Sequence, residues 1–129
     1  MIGLDTNILL CLVTGDDEAQ VKTITRWLAV HARDETLYVN HVVLAETLWT
    51  LKSGYGYARS DLAKFVDSLL GNAVFEIEEM GLVEDALRLF KSTQADYADC
   101  LIFAKNARSC AATITFDKAA RELPLAKLL

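Results

Sequence analysis

Four acidic residues stand at positions of this sequence where a carboxylate is unusual. Asp5 directly follows a short apolar segment at the start of the chain, and Asp117 closely follows another at residues 112–116. Glu46 and Asp99 lie inside longer apolar stretches, where a carboxylate is rarely buried unless it is paired or bound to a metal. The residue types therefore point to metal binding, provided that the fold brings the acids together.

Apolar periodicity divides the chain into short strands that alternate with longer helices. The predicted strands are residues 1–5, 37–39, 73–77 and 112–116, with a marginal edge strand at 126–129. The predicted helices are residues 6–13, 18–33, 42–52, 59–70, 82–91, 96–108 and 117–122, and residues 53–56 are interpreted as a turn. This alternation predicts an α/β fold in which helices cover both faces of a mostly parallel sheet of four or five strands, formed as a single domain over residues 1–129.

Two of the acids fall at the carboxyl ends of predicted strands, where open α/β sheets bind their ligands. Asp5-Thr6-Asn7 follows the first strand, and Thr115-Phe116-Asp117 ends the fourth. Asn7 and Thr115 are uncharged and lie two residues from an acid, so they are predicted to orient the carboxylates. A local turn hydrogen bond explains both residues equally well.

Each acid also has a purely structural interpretation. Asp5 and Asp117 have the residue type and position of helix N-caps. Glu46 could point to solvent, although its neighbours one turn away, Val42 and Trp49, are apolar and favour a functional role.

Asp96 and Asp99 have the spacing of a helix cap and the third residue after it. This spacing makes Asp96 a cap or an auxiliary site residue. Asp99 is then inside the first turn and is predicted to be the working carboxylate.

A cluster of such carboxylates requires a positive partner. Two like charges 4 Å apart repel by about 4 kcal/mol at an effective dielectric constant near 20. The cluster therefore persists only if a cation binds or some members stay protonated. Oxygen ligands without His or Cys favour Mg²⁺ or Mn²⁺, and such sites most often act on phosphates.

The ordered set Asp5-Thr6-Asn7, Glu46 in an apolar helix, Asp99-Cys100-Leu101-Ile102-Phe103-Ala104 and Thr115-Phe116-Asp117 resembles the PIN-domain ribonucleases, and within them the VapC-type toxins of toxin–antitoxin modules. The resemblance implies a three-layer α/β/α sandwich and Mg²⁺- or Mn²⁺-dependent hydrolysis of RNA. It implies Asp5, Glu46, Asp99 and Asp117 as metal-binding and catalytic residues, with Asn7, Thr115 and Asp96 in support. It also implies a homodimer and an antitoxin partner. Cys100 departs from the alanine frequent in relatives, which affects packing only.

The net charge of −5, from 13 basic and 18 acidic residues, at first argues against a nucleic-acid partner. Without Asp5, Glu46, Asp96, Asp99 and Asp117 the chain is neutral, so the excess of acid lies in the proposed site. No apolar run approaches the length of a membrane span, and the N-terminus lacks a basic signal region, so a cytoplasmic protein is expected. Cys11, Cys100 and Cys110 lie in apolar stretches and are predicted to be buried free thiols.

Three alternative functions remain at this point. A phosphatase that uses an Asp after its first strand expects Asp-x-Asp there, whereas this chain has Asp5-Thr6-Asn7. A receiver domain expects its acid after a middle strand. A catalytically silent domain that only binds RNA or a protein is also compatible with the sequence. Trp49, Tyr55 and Tyr57 could stack on bases or on a partner, although packing in or beside the core is the favoured interpretation.

Overall fold

The structure, a computed structural model, describes all 129 residues and contains five strands, six α-helices and one short 3₁₀ helix. The strands are β1 (Ile2–Gly3), β2 (Leu37–Val39), β3 (Phe75–Ile77), β4 (Thr113–Thr115) and β5 (Ala126–Leu128). The α-helices are α1 (Thr6–Thr14), α2 (Glu18–His31), α3 (His41–Tyr55), α4 (Arg59–Leu70), α5 (Met80–Ser92) and α6 (Tyr97–Asn106). The 3₁₀ helix covers Lys118–Ala120. The chain forms two compact units, a first unit of Met1–Glu78 and a second unit of Glu79–Leu129.

The first unit is built on a three-stranded parallel sheet in the order β1-β2-β3. The central strand β2 pairs Leu37 with Ile2 on one side and with Phe75 on the other. Both Leu37 and Val39 are buried, as expected for a parallel strand that helices cover. Side chains from α1, α3 and α4 complete this core, among them the fully buried Leu9, Leu44, Leu51 and Val66.

The second unit combines a parallel strand pair, β4-β5, with two packed helices. Thr113 pairs with Ala126 at the start of the two strands. Phe90 of α5 meets Tyr97 of α6 edge to face, with ring centroids 5.8 Å apart. The Tyr97 hydroxyl donates to the Val83 carbonyl oxygen at 3.2 Å, so this buried polar group is paired.

The predicted order of strands and helices is confirmed, including the marginal last strand, and every strand pair is parallel. The five strands form a three-stranded and a two-stranded sheet, where the sequence predicted one sheet of four or five strands. Most bounds agree to within two or three residues, and β2 and α4 agree completely. The predicted helix at 117–122 is a single 3₁₀ turn. None of the helices has the length and apolar character that crossing a membrane would require.

The predicted turn at residues 53–56 is wrong, because α3 continues through Ser53 and Gly54 to Tyr55. The helix ends at Gly56, which adopts the left-handed conformation with φ of 69°. The backbone N–H groups of Gly56 and Tyr57 both donate to the Leu51 carbonyl oxygen, which is the pattern of a glycine-capped helix terminus. Of the two glycines, only the second is therefore the stop signal.

The prediction of three buried thiols is correct for Cys11 and Cys100 and wrong for Cys110, which is exposed. Helix α6 ends at Asn106, before the predicted end at residue 108. Cys110 lies in the connection between α6 and β4, and residues 108–112 of this connection are all exposed.

The two glycines at the end of α3 provide a matched test of where this helix ends. A Cβ at Gly54 meets only Thr50 Cγ2 at an ordinary 3.7 Å, so Gly54→Ala should stabilise the protein by about 0.5–1 kcal/mol through helix propensity. A Cβ at Gly56 meets nothing within 4 Å but is strained by the positive φ, so Gly56→Ala should cost about 1 kcal/mol or more. Urea unfolding followed by far-UV circular dichroism measures both changes. Destabilisation by Gly54→Ala would contradict a helix that continues to Tyr55.

Candidate metal-binding and catalytic site

In the second unit, three of the predicted site acids influence one another electrostatically. Asp99 is the third residue of α6 and is partly buried. Its pKa is raised above 3.8, first by burial and then by the negative charges of Asp117 and Asp96. A hydrogen bond between the Asp99 and Asp117 side chains acts in the same direction. The structure therefore places the Asp99 side chain within the electrostatic influence of Asp117 and Asp96.

Asp117 is held in place by two local hydrogen bonds. Its Oδ1 accepts from the Ala119 N–H at 2.9 Å, which makes it the N-cap of the 3₁₀ helix. Its own N–H donates to the Thr115 hydroxyl at 3.0 Å. Thr115 thus forms a local turn hydrogen bond, and this bond fixes the backbone that carries the Asp117 carboxylate.

Asp96 occupies the N-cap position of α6 but does not cap the helix with its side chain. Its backbone is extended, with φ of −66° and ψ of 153°, and its carbonyl oxygen accepts from the Cys100 N–H at 3.0 Å. Its carboxylate makes no capping hydrogen bond and adds negative charge near Asp99. The sequence predicted Asp96 to be a helix cap or an auxiliary site residue, and its side chain lacks the hydrogen bond that defines a cap.

In the first unit, Asp5 links β1 to α1. Its exposed carboxylate accepts from the Thr6 N–H through Oδ1 at 2.7 Å, so the capping role weighed from the sequence is present. Asn7 is exposed in the first turn of α1. It lines an open cleft of about 350 Å³ between α1 and α2, with Asp17 and Gln20 on the facing side.

Glu46 lies in the middle of α3, and its side chain is exposed. Its apolar neighbours do not bury it, because Val42 and Trp49 are themselves 66% and 69% exposed. The helix buries its opposite side, where Val43, Leu44, Thr47, Leu48 and Leu51 are found. Glu46 is therefore accessible to a cation or a substrate from solvent.

Hydrogen bonds of His41 and Asn40 fix the start of α3, the helix that carries Glu46. Buried His41 donates from its backbone N–H to Glu78 Oε1 at 2.8 Å, and its ring Nε2 lies 2.7 Å from the Glu78 carbonyl oxygen, an acceptor. Asn40 Oδ1 accepts from the Val43 N–H at 2.8 Å and caps the helix. Asn40 directly before an apolar helix was a readable cap signal, whereas nothing in the sequence paired His41 with Glu78.

The donor chemistry of the second-unit cluster fits a divalent cation. Asp96, Asp99 and Asp117 offer only carboxylate oxygens, which are the ligands that Mg²⁺ and Mn²⁺ prefer. Partial burial and then the negative charges of Asp117 and Asp96 raise the pKa of Asp99, and a bound cation would offset the repulsion. A cation bound here would meet one partly desolvated carboxylate, that of Asp99, whose attraction for it is stronger than that of a fully exposed one.

Two of three comparisons with known proteins give a match. The family model described as "PIN domain" matches residues 2–125. The chain is 30% identical to the VapC ribonuclease of Aquifex aeolicus (strain VF5) over 99 residues, which are 76% of this chain and 73% of the relative. No solved structure gives a significant match. The family match and the parallel strands together confirm the predicted α/β class.

The raised pKa of Asp99 predicts that this side chain destabilises the metal-free protein. At neutral pH, Asp99→Asn should increase the free energy of unfolding by about 0.2–1 kcal/mol, the range for solvent-screened charges. The gain should shrink as the pH falls through the raised pKa towards and below 3.8, because the parent carboxyl is then neutral in both folded and unfolded states.

Urea unfolding in the presence of a chelator, at several pH values, measures this gain. Asp34→Asn is the matched control, since Asp34 is exposed in the turn before β2 and lies outside the cluster. Equal stability of the Asp99→Asn and Asp34→Asn variants at neutral pH would contradict a destabilising charge on Asp99.

Proposed function

The chain belongs to the PIN-domain family, and from this we propose that it is a divalent-metal-dependent endoribonuclease that hydrolyses RNA phosphodiesters. The observation that carries the proposal is the position of the partly buried Asp99 side chain beside the carboxylates of Asp117 and Asp96, which raises its pKa. A carboxyl group perturbed by burial and by neighbouring charges is a candidate functional residue. The similarity to a ribonuclease of the VapC type supports RNA as the substrate.

In this proposal Asp5, Glu46, Asp99 and Asp117 are the metal-binding and catalytic residues. Asn7, Thr115 and Asp96 have supporting roles. The cofactor is Mg²⁺ or Mn²⁺, in keeping with the all-oxygen donor set. When bound, such an ion stabilises charge on phosphate oxygens and lowers the pKa of a coordinated water.

The local structure suits each acid to its role. The Thr6 N–H fixes one oxygen of Asp5, and the Ala119 N–H fixes one oxygen of Asp117. Fixed carboxylates lose little conformational freedom when they bind a ligand, which favours a preorganised site. Glu46 lies in the middle of a helix that is capped at both ends, so its backbone position is equally well defined.

The same proposal extends to the organisation and partners of the protein. Residues 1–129 form a single PIN domain, since the family model runs through both compact units. The protein is the toxin of a type II toxin–antitoxin pair, and its partners are RNA and a cognate antitoxin protein. It acts as a homodimer in the cytoplasm and makes no membrane contact.

Metal binding is the first test of this function. Isothermal titration of the parent protein with Mn²⁺ should give saturable binding, and Asp99→Asn should weaken that binding by at least about tenfold because it removes a charged ligand. Asp34→Asn should bind as the parent does. Absence of binding in the folded, antitoxin-free parent would overturn the metal-dependent mechanism.

Cleavage of RNA is the second test. Asp5→Asn should reduce Mg²⁺- or Mn²⁺-dependent cleavage by about 100-fold or more, the scale on which a lost electrostatic contact affects catalysis. The fold should persist, because Asn caps a helix as well as Asp does. Product formation from a labelled RNA, with unfolding midpoints measured in parallel, distinguishes lost chemistry from lost structure. A stable Asp5→Asn variant with parental activity would remove Asp5 from the mechanism.

A further inference from the structure

Trp49 is a large apolar side chain left in solvent on the helix that carries Glu46. Its side chain is 69% exposed, and that of Val42 on the same face is 66% exposed. Val42, Glu46 and Trp49 are separated by four and then three residues, so they form one stripe along α3, which we call the α3 stripe. The burial of α3 lies on its opposite side.

Folding of this chain does not account for the exposure of Trp49. The second tryptophan, Trp27, is 46% exposed, but its ring stacks on His31 with centroids 4.6 Å apart and planes 20° apart. No ring stacks on Trp49. The packing expected for it from the sequence is therefore wrong, and its indole face is available to a flat ligand.

We propose that Trp49 is a stacking platform for a base of the single-stranded RNA substrate, and thereby positions the phosphodiester next to Glu46. The proposal rests on the ribonuclease function and assigns one element of substrate recognition to it. Three helical residues rise about 4.5 Å, so the indole and the Glu46 carboxylate reach neighbouring parts of one nucleotide chain. Aromatic rings stack on unpaired bases with little regard to sequence, because every base has a π face.

The composition of the α3 stripe favours a nucleobase over a second copy of the chain or another protein. A stable protein interface buries roughly 800 Å² on each side, whereas the stripe has only two large apolar side chains. A protein that covered the stripe would also desolvate Glu46, and a symmetric contact would bring two Glu46 carboxylates together. A base on the indole face leaves Glu46 in contact with solvent.

Intrinsic fluorescence tests the proposal directly, because the chain has only two tryptophans. In a Trp27→Phe variant that also carries Asp5→Asn to suppress cleavage, all tryptophan emission comes from Trp49. Titration with a short unstructured RNA in Mg²⁺ should quench this emission saturably. The same RNA with abasic ribose units should bind more weakly and quench little, since phosphate and sugar contacts remain but stacking is lost.

Affinity measurements on matched variants complete the test. With Asp5→Asn as the common background, Trp49→Ala should weaken RNA binding by about 5- to 150-fold, the range that corresponds to one stacked base, and Trp49→Phe should restore part of it. Trp27→Ala is the control and should bind RNA as its background does. Equal affinity with and without Trp49, or equal quenching by the abasic RNA, would overturn the proposal.

Two further readouts distinguish base stacking from dimer formation and from the cleavage reaction itself. Sedimentation of the Trp49→Ala variant reports the oligomeric state, and a lost dimer with unchanged RNA affinity would make the α3 stripe an interface between copies and refute stacking. Cleavage by the parent protein is assayed independently. Base-dependent quenching without any parental cleavage would uphold Trp49 as a platform and refute the ribonuclease function, whereas cleavage without quenching would do the opposite.

Discussion

The partial burial of Asp99 beside two other carboxylates is the constraint on which the proposed site in the second unit depends. Asp99 is partly buried and faces the negative charges of Asp117 and Asp96, so its ionised form is disfavoured. The arrangement is tolerated because the rest of α6 is fastened independently, with Tyr97, Cys100, Leu101 and Phe103 buried. The hydrophobic contacts of one helix face thus offset the electrostatic cost at its first turn. A cation that binds such a site relieves the electrostatic cost of the ionised carboxylate, and this relief strengthens cation binding.

Capping and catalysis are compatible uses of the same carboxylate in this protein. Asp5 and Asp117 each accept a backbone N–H through a single oxygen, at the first turn of α1 and of the 3₁₀ helix respectively. A carboxylate has several lone-pair positions on its two oxygens, so one such bond orients the group and leaves acceptor capacity for a ligand. These residues can therefore act as helix caps and as metal ligands at the same time, because the capping hydrogen bond orients the carboxylate that would bind the metal.

The sequence predicted the elements well because the strands are short, apolar and bounded by polar residues, and because the acids mark where strands give way to helices. It failed where tertiary contacts outweigh local signals. Gly54 is typical of a turn, yet it remains helical because the chain continues to the left-handed Gly56 and the Leu51 carbonyl is capped there. The pairing of His41 with Glu78 joins residues 37 positions apart, and no local pattern encodes such a contact. The spacing of Asp96 and Asp99 placed them in one helical turn, whereas the approach of Asp117 and the degree of burial of each acid are tertiary properties that no local pattern encodes.

Helix α3 shows that the sequence alone does not determine which apolar side chains are exposed. Hydrophobic periodicity identifies the residues that could be buried, and on that basis Val42 and Trp49 belong to the core as much as Leu48 does. The structure buries Leu48 to 3% exposure and leaves the other two in solvent, because α1 and α4 pack against only one side of α3. Exposed apolar side chains that share one helix face are a feature of interaction sites, whereas single ones are common on any protein surface. Glu46 lies between Val42 and Trp49 on this face, so a ligand of Glu46 would also contact both apolar side chains.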